Sequence, residues 1–162
     1  MASKDFIIQD PRHYFIAYKR DTGKDFAEHI HEGLHARGVD AFLDFIDIEE
    51  GLSRDEWEKQ RDDAIKKSNF FILIVTHNTC ETEEIKKEMK LAISIKNIDI
   101  RGFIYKPLWN KEEELIVDLG NEKIDLRKHQ IRQFETKESL LREVLTSLPL
   151  VKQKHEIKYY MK

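Results

Sequence analysis

Residues 69–75 read Asn69-Phe70-Phe71-Ile72-Leu73-Ile74-Val75. A strand with one wet face alternates apolar and polar side chains, whereas six apolar residues in a row leave no face for water. Such a run reads as the centre strand of a parallel sheet covered on both sides. Working toward the N-terminus, HYFIAYK (13–19) and VDAFLD (39–44) read as two more strands. Between them DTGKDFAEHIHEGLHARG (21–38) reads as a helix. Thr22 is its expected N-cap, with Asp25 three residues on; Phe26, Ile30 and Leu34 form its stripe, and Gly38 stops it. FIDIEEGL (45–52) is expected to be a loop. Ser53-Arg54-Asp55-Glu56 has the S-x-x-E form of a capping box and opens a helix carrying Trp57, Ala64 and Ile65. Toward the C-terminus come a loop, Thr76-His77-Asn78-Thr79, then a helix over EIKKEMKLAI (84–93) and a strand GFIY (102–105). A short helix KEEELIVDL (111–119), an edge strand KIDLR (123–127) and a last helix TKESLLREVLTSL (136–148) complete the pattern.

Strands alternating with helices define an α/β fold with a parallel sheet. Five strands predict a flavodoxin-like three-layer fold with sheet order 2-1-3-4-5. Residues 1–12 form an N-terminal extension ended by Pro11, residues 13–150 one domain, and residues 151–162 a tail outside the pattern. In this topology ligands bind beyond the carboxyl ends of the first and third strands. Those ends are Tyr18-Lys19-Arg20 and Thr76-His77-Asn78.

Composition narrows the chemistry. The 28 Lys and Arg nearly balance 31 Asp and Glu, a net charge of -3, which argues against a nucleic-acid binder. Cys80 is the only cysteine, so no internal disulfide can form and a cytoplasmic setting is expected. No apolar run approaches the ~20 residues that cross a bilayer. The N-terminus lacks the apolar core of a signal peptide. No G-x-G-x-x-G follows the first strand and no P-loop is present, so a resident dinucleotide cofactor is not expected. The third strand ends in Val75-Thr76 rather than an aspartate, which disfavours a phospho-receiver. Cys80 near His77 reads as a small loop residue rather than a nucleophile. His31 and His35 stand one turn apart, yet the rest of a zinc site is absent; they read as a solvated helix face, and no metal is expected.

A buried stripe in the helix after the third strand would take Ile85, Glu88, Met89, Ala92 and Ile93. Glu88 breaks it. A carboxylate facing inward costs free energy unless something pairs with it or uses it. Across the expected crevice stand Lys19 and Arg20, cations suited to a pyrophosphate. A carboxylate can stabilise a ribosyl cation as a leaving group departs, the logic of glycoside hydrolysis.

Three blocks of the chain resemble TIR domains. HYFIAYKRDTGKDFAE resembles their first strand and helix, FLDFIDIEEGLSRDEWEKQ their second strand, BB loop and next helix, and SNFFILIVTHNTCETEEIKKEMKLAI their third strand and the helix of the S-x-W-C-x-x-E-L pattern. In this register Thr82 takes the serine position, Ile85 the cysteine, Glu88 the glutamate and Met89 the leucine. The resemblance implies cleavage of NAD at its nicotinamide–ribose bond, to ADP-ribose or a cyclic isomer, within microbial defence signalling. It makes Glu88 catalytic. Tyr18, Lys19, Arg20, Asp44, Gly51, Thr76 and Glu84 are expected at the substrate, with Lys19 and Arg20 on the pyrophosphate. It also implies self-association through the BB loop, at Phe45, Ile46, Ile48, Gly51, Leu52 and Ser53, and a downstream effector that senses the product. NAD enters as substrate, not cofactor. Two alternatives stand beside this reading: a TIR module that only assembles, and an enzyme like a nucleoside deoxyribosyltransferase. The chain departs from the pattern at Glu84, where the family usually has tryptophan. Trp57, on another helix, reads more readily as core than as its replacement.

Overall fold

A computed structural model describes residues 10–48 and 50–147. Along them run β1 (Asp10–Ala17), α1 (Arg20–His35), β2 (Val39–Phe42), α2 (Arg54–Lys66), β3 (Phe70–Val75), α3 (Glu83–Ser94), β4 (Asp99–Tyr105), β5 (Ile116–Asp118), β6 (Lys123–Asp125), β7 (Gln130–Phe134) and α4 (Lys137–Ser147). The main sheet has the order β2-β1-β3-β4-β7, and every pairing in it is parallel. This is the flavodoxin-like arrangement, with five strands between two helical layers.

All six residues of β3 are buried, as the unbroken apolar run requires. Alternate side chains go to opposite faces. Phe71, Leu73 and Val75 pack with Ala64 and Ile65 of α2 and Ile85, Met89 and Ala92 of α3. Phe70, Ile72 and Ile74 pack with Ala27, Ile30 and Leu34 of α1 and Leu140 and Val144 of α4. Each large apolar side chain removed from water contributes roughly 1.5–3 kcal/mol. The strongest strand therefore ties both layers together.

Several local expectations are corrected. β1 includes Pro11 and stops at Ala17, so Tyr18 and Lys19 already lie in the turn above the sheet. Thr22 is not the N-cap of α1. Lys19 occupies that position without a side-chain capping bond, and Gly23 N–H reaches Lys19 O at 2.7 Å. The Thr22 hydroxyl instead lies 2.7 Å from Thr76 Oγ1, tying the first turn of α1 to the loop after β3. His31 is not on a solvated face; it is buried, with Nε2 3.2 Å from Asp47 Oδ2. The expected loop 45–52 begins as a one-turn helix, Asp44–Asp47, which Asp47 closes by accepting from Leu43 N–H at 2.6 Å. The Ser53–Glu56 capping box forms as read.

The fifth sheet strand is Gln130–Phe134, not residues 123–127. The latter region supplies β6, which pairs antiparallel with β5 in a separate hairpin. The expected helix 111–119 is only a single 3-10 turn, Glu112–Glu114, followed by β5. β7 is an edge strand in which only Phe134 is fully buried, so its sequence carries little periodicity. Ile131 sits opposite Gly102 on β4, and a Cβ at Gly102 would lie 3.1 Å from the Ile131 methyl. The end of the last expected helix, Pro149, the tail 151–162 and residues 1–9 of the extension fall outside the described residues.

Candidate active site

Beyond the carboxyl ends of β1, β2 and β3 the chain encloses a cleft of about 600 Å³. Tyr18 and Lys19 line it from the turn after β1, Arg20 and Asp21 from the first turn of α1, and Asp44 from the turn after β2. Leu52 comes from the segment leading into α2, Arg54 and Trp57 from α2 itself, Thr82 from the N-cap of α3, and Glu84 and Glu88 from α3. This is the switch point the topology predicts.

Glu88 is 5% exposed at this cleft. No hydrogen bond to its carboxylate forms among the described residues. Burial pushes its pKa well above the ordinary glutamate value. The Arg61 guanidinium works against that shift, while the negative charges of Asp44, Glu84 and Asp62 add to it. Asp44 is held by the Tyr18 hydroxyl, which donates to Oδ1 at 2.7 Å, and by Arg20 Nη2 at 3.4 Å from Oδ2. Burial and the bond to Asp44 raise the Tyr18 pKa, so the phenol stays a donor. Lys19 Nζ donates to both oxygens of Asp21, at 2.7 and 2.8 Å. The two cations expected at a pyrophosphate are thus present in the wall, each on a carboxylate that a ligand anion would have to displace.

Six of the predicted substrate and catalytic residues meet in this cleft: Tyr18, Lys19, Arg20, Asp44, Glu84 and Glu88. Thr76 does not line it. Thr76 is buried beneath, with Oγ1 3.0 Å from Thr79 Oγ1 and its N–H donating to the same oxygen at 2.9 Å. Gly51 stands outside the lining, exposed, with φ +81° and open space where a Cβ would be. Of the expected interface residues, Ile46 is 46% exposed, Ile48 is buried in its own domain and Leu52 turns into the cleft. Ser53 is occupied as the N-cap of α2. The Phe45 side chain lies outside the described residues.

Trp57 is corrected from core to wall: it is half-buried and lines the cleft. Arg54 and Arg61 were not anticipated. The signal for Arg61 was present, because a stripe counted from Trp57 takes Gln60, Arg61, Ala64 and Ile65. Arg61 interrupts that stripe as Glu88 interrupts the one on α3. Cys80 is buried, its thiol reaching Glu114 O at 3.1 Å, and burial pushes its pKa up to about 12.

A doubly wound α/β domain with a carboxylate at its switch-point cleft is the class defined here. A family model of the TIR domain matches residues 15–141, and the chain belongs to that family. No curated protein matches the chain in sequence. Among solved structures, the CMP N-glycosidase BcmB of Clostridium botulinum is similar, with TM-score 0.58 and 17% identity over 85% of this chain and 100% of that one. A conserved protein from Enterococcus faecalis V583 is similar at TM-score 0.57 and 10% identity, covering 85% of this chain and 99% of that one. The TIR domains of the activated Roq1 resistosome, which recognises the pathogen effector XopQ, are similar at TM-score 0.53 and 14% identity over 90% and 76%. Likenesses at these identities establish the fold. Among the described residues no helix is long and apolar enough to cross a membrane.

Proposed function

We propose that this TIR domain cleaves NAD at the nicotinamide–ribose bond. One observation carries the reading: a buried carboxylate, Glu88, without a hydrogen-bond partner among the described residues, faces a cleft lined by an indole and by Lys19 and Arg20. As the C1′–N bond breaks, its electron pair passes to the ring nitrogen and neutralises the pyridinium. Positive charge develops on the ribose, and the ionised Glu88 stabilises it in a site of low dielectric. Water, losing a proton, completes ADP-ribose; a nucleophile of the same molecule completes a cyclic isomer. Lys19 and Arg20 exchange Asp21 and Asp44 for the pyrophosphate.

A second reading, cleavage of a nucleoside monophosphate, is favoured by the shared fold of the CMP N-glycosidase. The same carboxylate would serve there, with cytosine as the leaving base. Assembly through the loop 45–53 fits either reading, since Ile46 is exposed and Leu52 reaches the cleft. The similar TIR domains of Roq1 belong to an assembly, the activated resistosome. A role in defence signalling with an effector that senses the product follows from the NAD reading. The test is incubation of purified protein with NAD and separately with CMP, with products identified by mass. Nicotinamide release supports the first reading and cytosine release the second. Turnover of neither substrate at high protein concentration leaves an interaction module.

A further inference from the structure

Arg61 is 3% exposed and does not line the cleft. A guanidinium this deeply buried is rarely without partners. Its Nε and Nη2 donate to Asp62 Oδ1 at 3.1 and 3.0 Å, and its Nη1 donates to Glu84 Oε2. The guanidinium carbon lies 5.2 Å from the centroid of the Trp57 ring. The other oxygen of Glu84 accepts from Arg54 Nη2. Both oxygens of Glu84 are therefore held by guanidinium groups of α2. Glu84 stands one turn before Glu88 on α3, a spacing that places like charges side by side.

We propose that Arg61 is a positioning residue of this site: by drawing Glu84 onto α2 and backing the Trp57 indole, it leaves Glu88 as the one carboxylate of α3 directed at the substrate, beside a fixed aromatic wall for the departing base. The proposal rests on the reading of Glu88 as the group that faces the ribose. α3 carries a glutamate, Glu84, at the cleft one turn before Glu88. The aromatic surface of the cleft is supplied by Trp57 of α2, and Arg61 is the piece that touches both. The planar fork of arginine suits both tasks, since it can hold carboxylates at its edge while stacking on a ring with its face.

The charges around Glu88 make the expected effect one-signed. Tyr18 stands at the end of β1 with Lys19 and Arg20, Asp44 at the end of β2, Asp62 and Arg61 on α2, and Glu84 on its own helix. The anions Asp44, Glu84 and Asp62 disfavour an ionised Glu88, and Arg61 is the principal cation opposing them. Removing Arg61 releases one oxygen of Glu84, leaving the other on Arg54, and withdraws that cation at the same time.

The test uses the full chain, with the glutamate side-chain carboxyls followed by ¹³C NMR and the Glu88 signal assigned by Glu88→Gln. In Arg61→Gln the Glu88 titration midpoint should rise by about one pH unit or more. The acid limb of turnover should move to higher pH with it. Arg61→Lys keeps the charge and should hold the midpoint near that of the parent. It loses the flat fork, so the Trp57 emission, read in a Trp109→Phe background, should still shift to the red. A midpoint unmoved in Arg61→Gln overturns the proposal, as does a Lys variant that titrates like the Gln variant. Should Arg61→Gln fail to fold, the paired change Arg61→Met with Glu84→Met replaces the ion pair by apolar groups, an exchange proteins commonly tolerate. Trp57 emission unchanged in that pair also overturns the proposal. If the parent cleaves neither NAD nor CMP, the functional reading falls, while titration and emission still decide the role of Arg61.

Discussion

Glu88→Gln separates catalysis from stability, and the structure sets the sign of both effects. The native carboxyl is desolvated, and its pKa in the folded chain lies above the value it has when unfolded. The folded state therefore binds this proton more tightly. The resulting stability is fully present below the unfolded pKa and is lost as pH rises through the raised value. Glutamine does not titrate and is spared this loss. Each pH unit of elevation corresponds to about 1.4 kcal/mol, and solvent screening takes little from it at a site this buried. In a domain of this length each such unit is worth a few degrees of Tm, so the variant should melt higher than the parent at about pH 8, by a difference that vanishes at about pH 4. Turnover should move the opposite way. Loss of the charge that stabilises the ribosyl cation should lower NAD cleavage by on the order of 10²-fold or more, a few kcal/mol of barrier. Thermal melts by circular dichroism at the two pH values, with nicotinamide release measured on the same preparations, check both. A Gln variant of undiminished turnover would refute the role in catalysis. A stability difference that is independent of pH, or that favours the carboxylate at high pH, would refute the account of the site's electrostatics.

The remaining predictions address the frame around Glu88. Glu84→Trp should lower both Tm and turnover, because Arg61 loses a partner while still buried; urea melts and NAD turnover check it, and a gain in activity would mean that a second aromatic in the cleft outweighs the lost ion pair. Cys80, with its thiol pKa pushed up to about 12, should resist thiol reagents in the folded chain and react at once in denaturant. Ser53→Ala removes the cap of α2 and should cost about 1 kcal/mol of unfolding free energy in urea. Gly51→Pro cannot keep φ +81°, since proline holds φ near −65°. It should leave the monomer folded, remodel the loop 45–53 and abolish any rise in specific activity with protein concentration, read by turnover alongside light scattering.

What the sequence determined by itself was the part that repeats within one element. The run Phe70–Val75 needed cover on both faces, so the class of fold followed from six residues and their neighbours. The capping box Ser53–Glu56 closes over four residues and forms as read. Glu88 was visible because a single charge interrupted an apolar period. Where the elements meet, periodicity falls silent. Thr22 had the form of an N-cap, but its hydroxyl found Thr76, a partner 54 positions away. The fifth sheet strand carries one fully buried side chain, too little pattern to outweigh the more regular KIDLR. Arg61 interrupts the inward stripe of α2 as Glu88 interrupts that of α3, yet its partner Glu84 lies 23 residues on, and only the packing of two helices brings them together. Burial of a charge is a property of what surrounds it. The period of one helix can mark where a charge turns inward; the tertiary structure decides whether it meets a partner, as Arg61 does, or an open cleft, as Glu88 does.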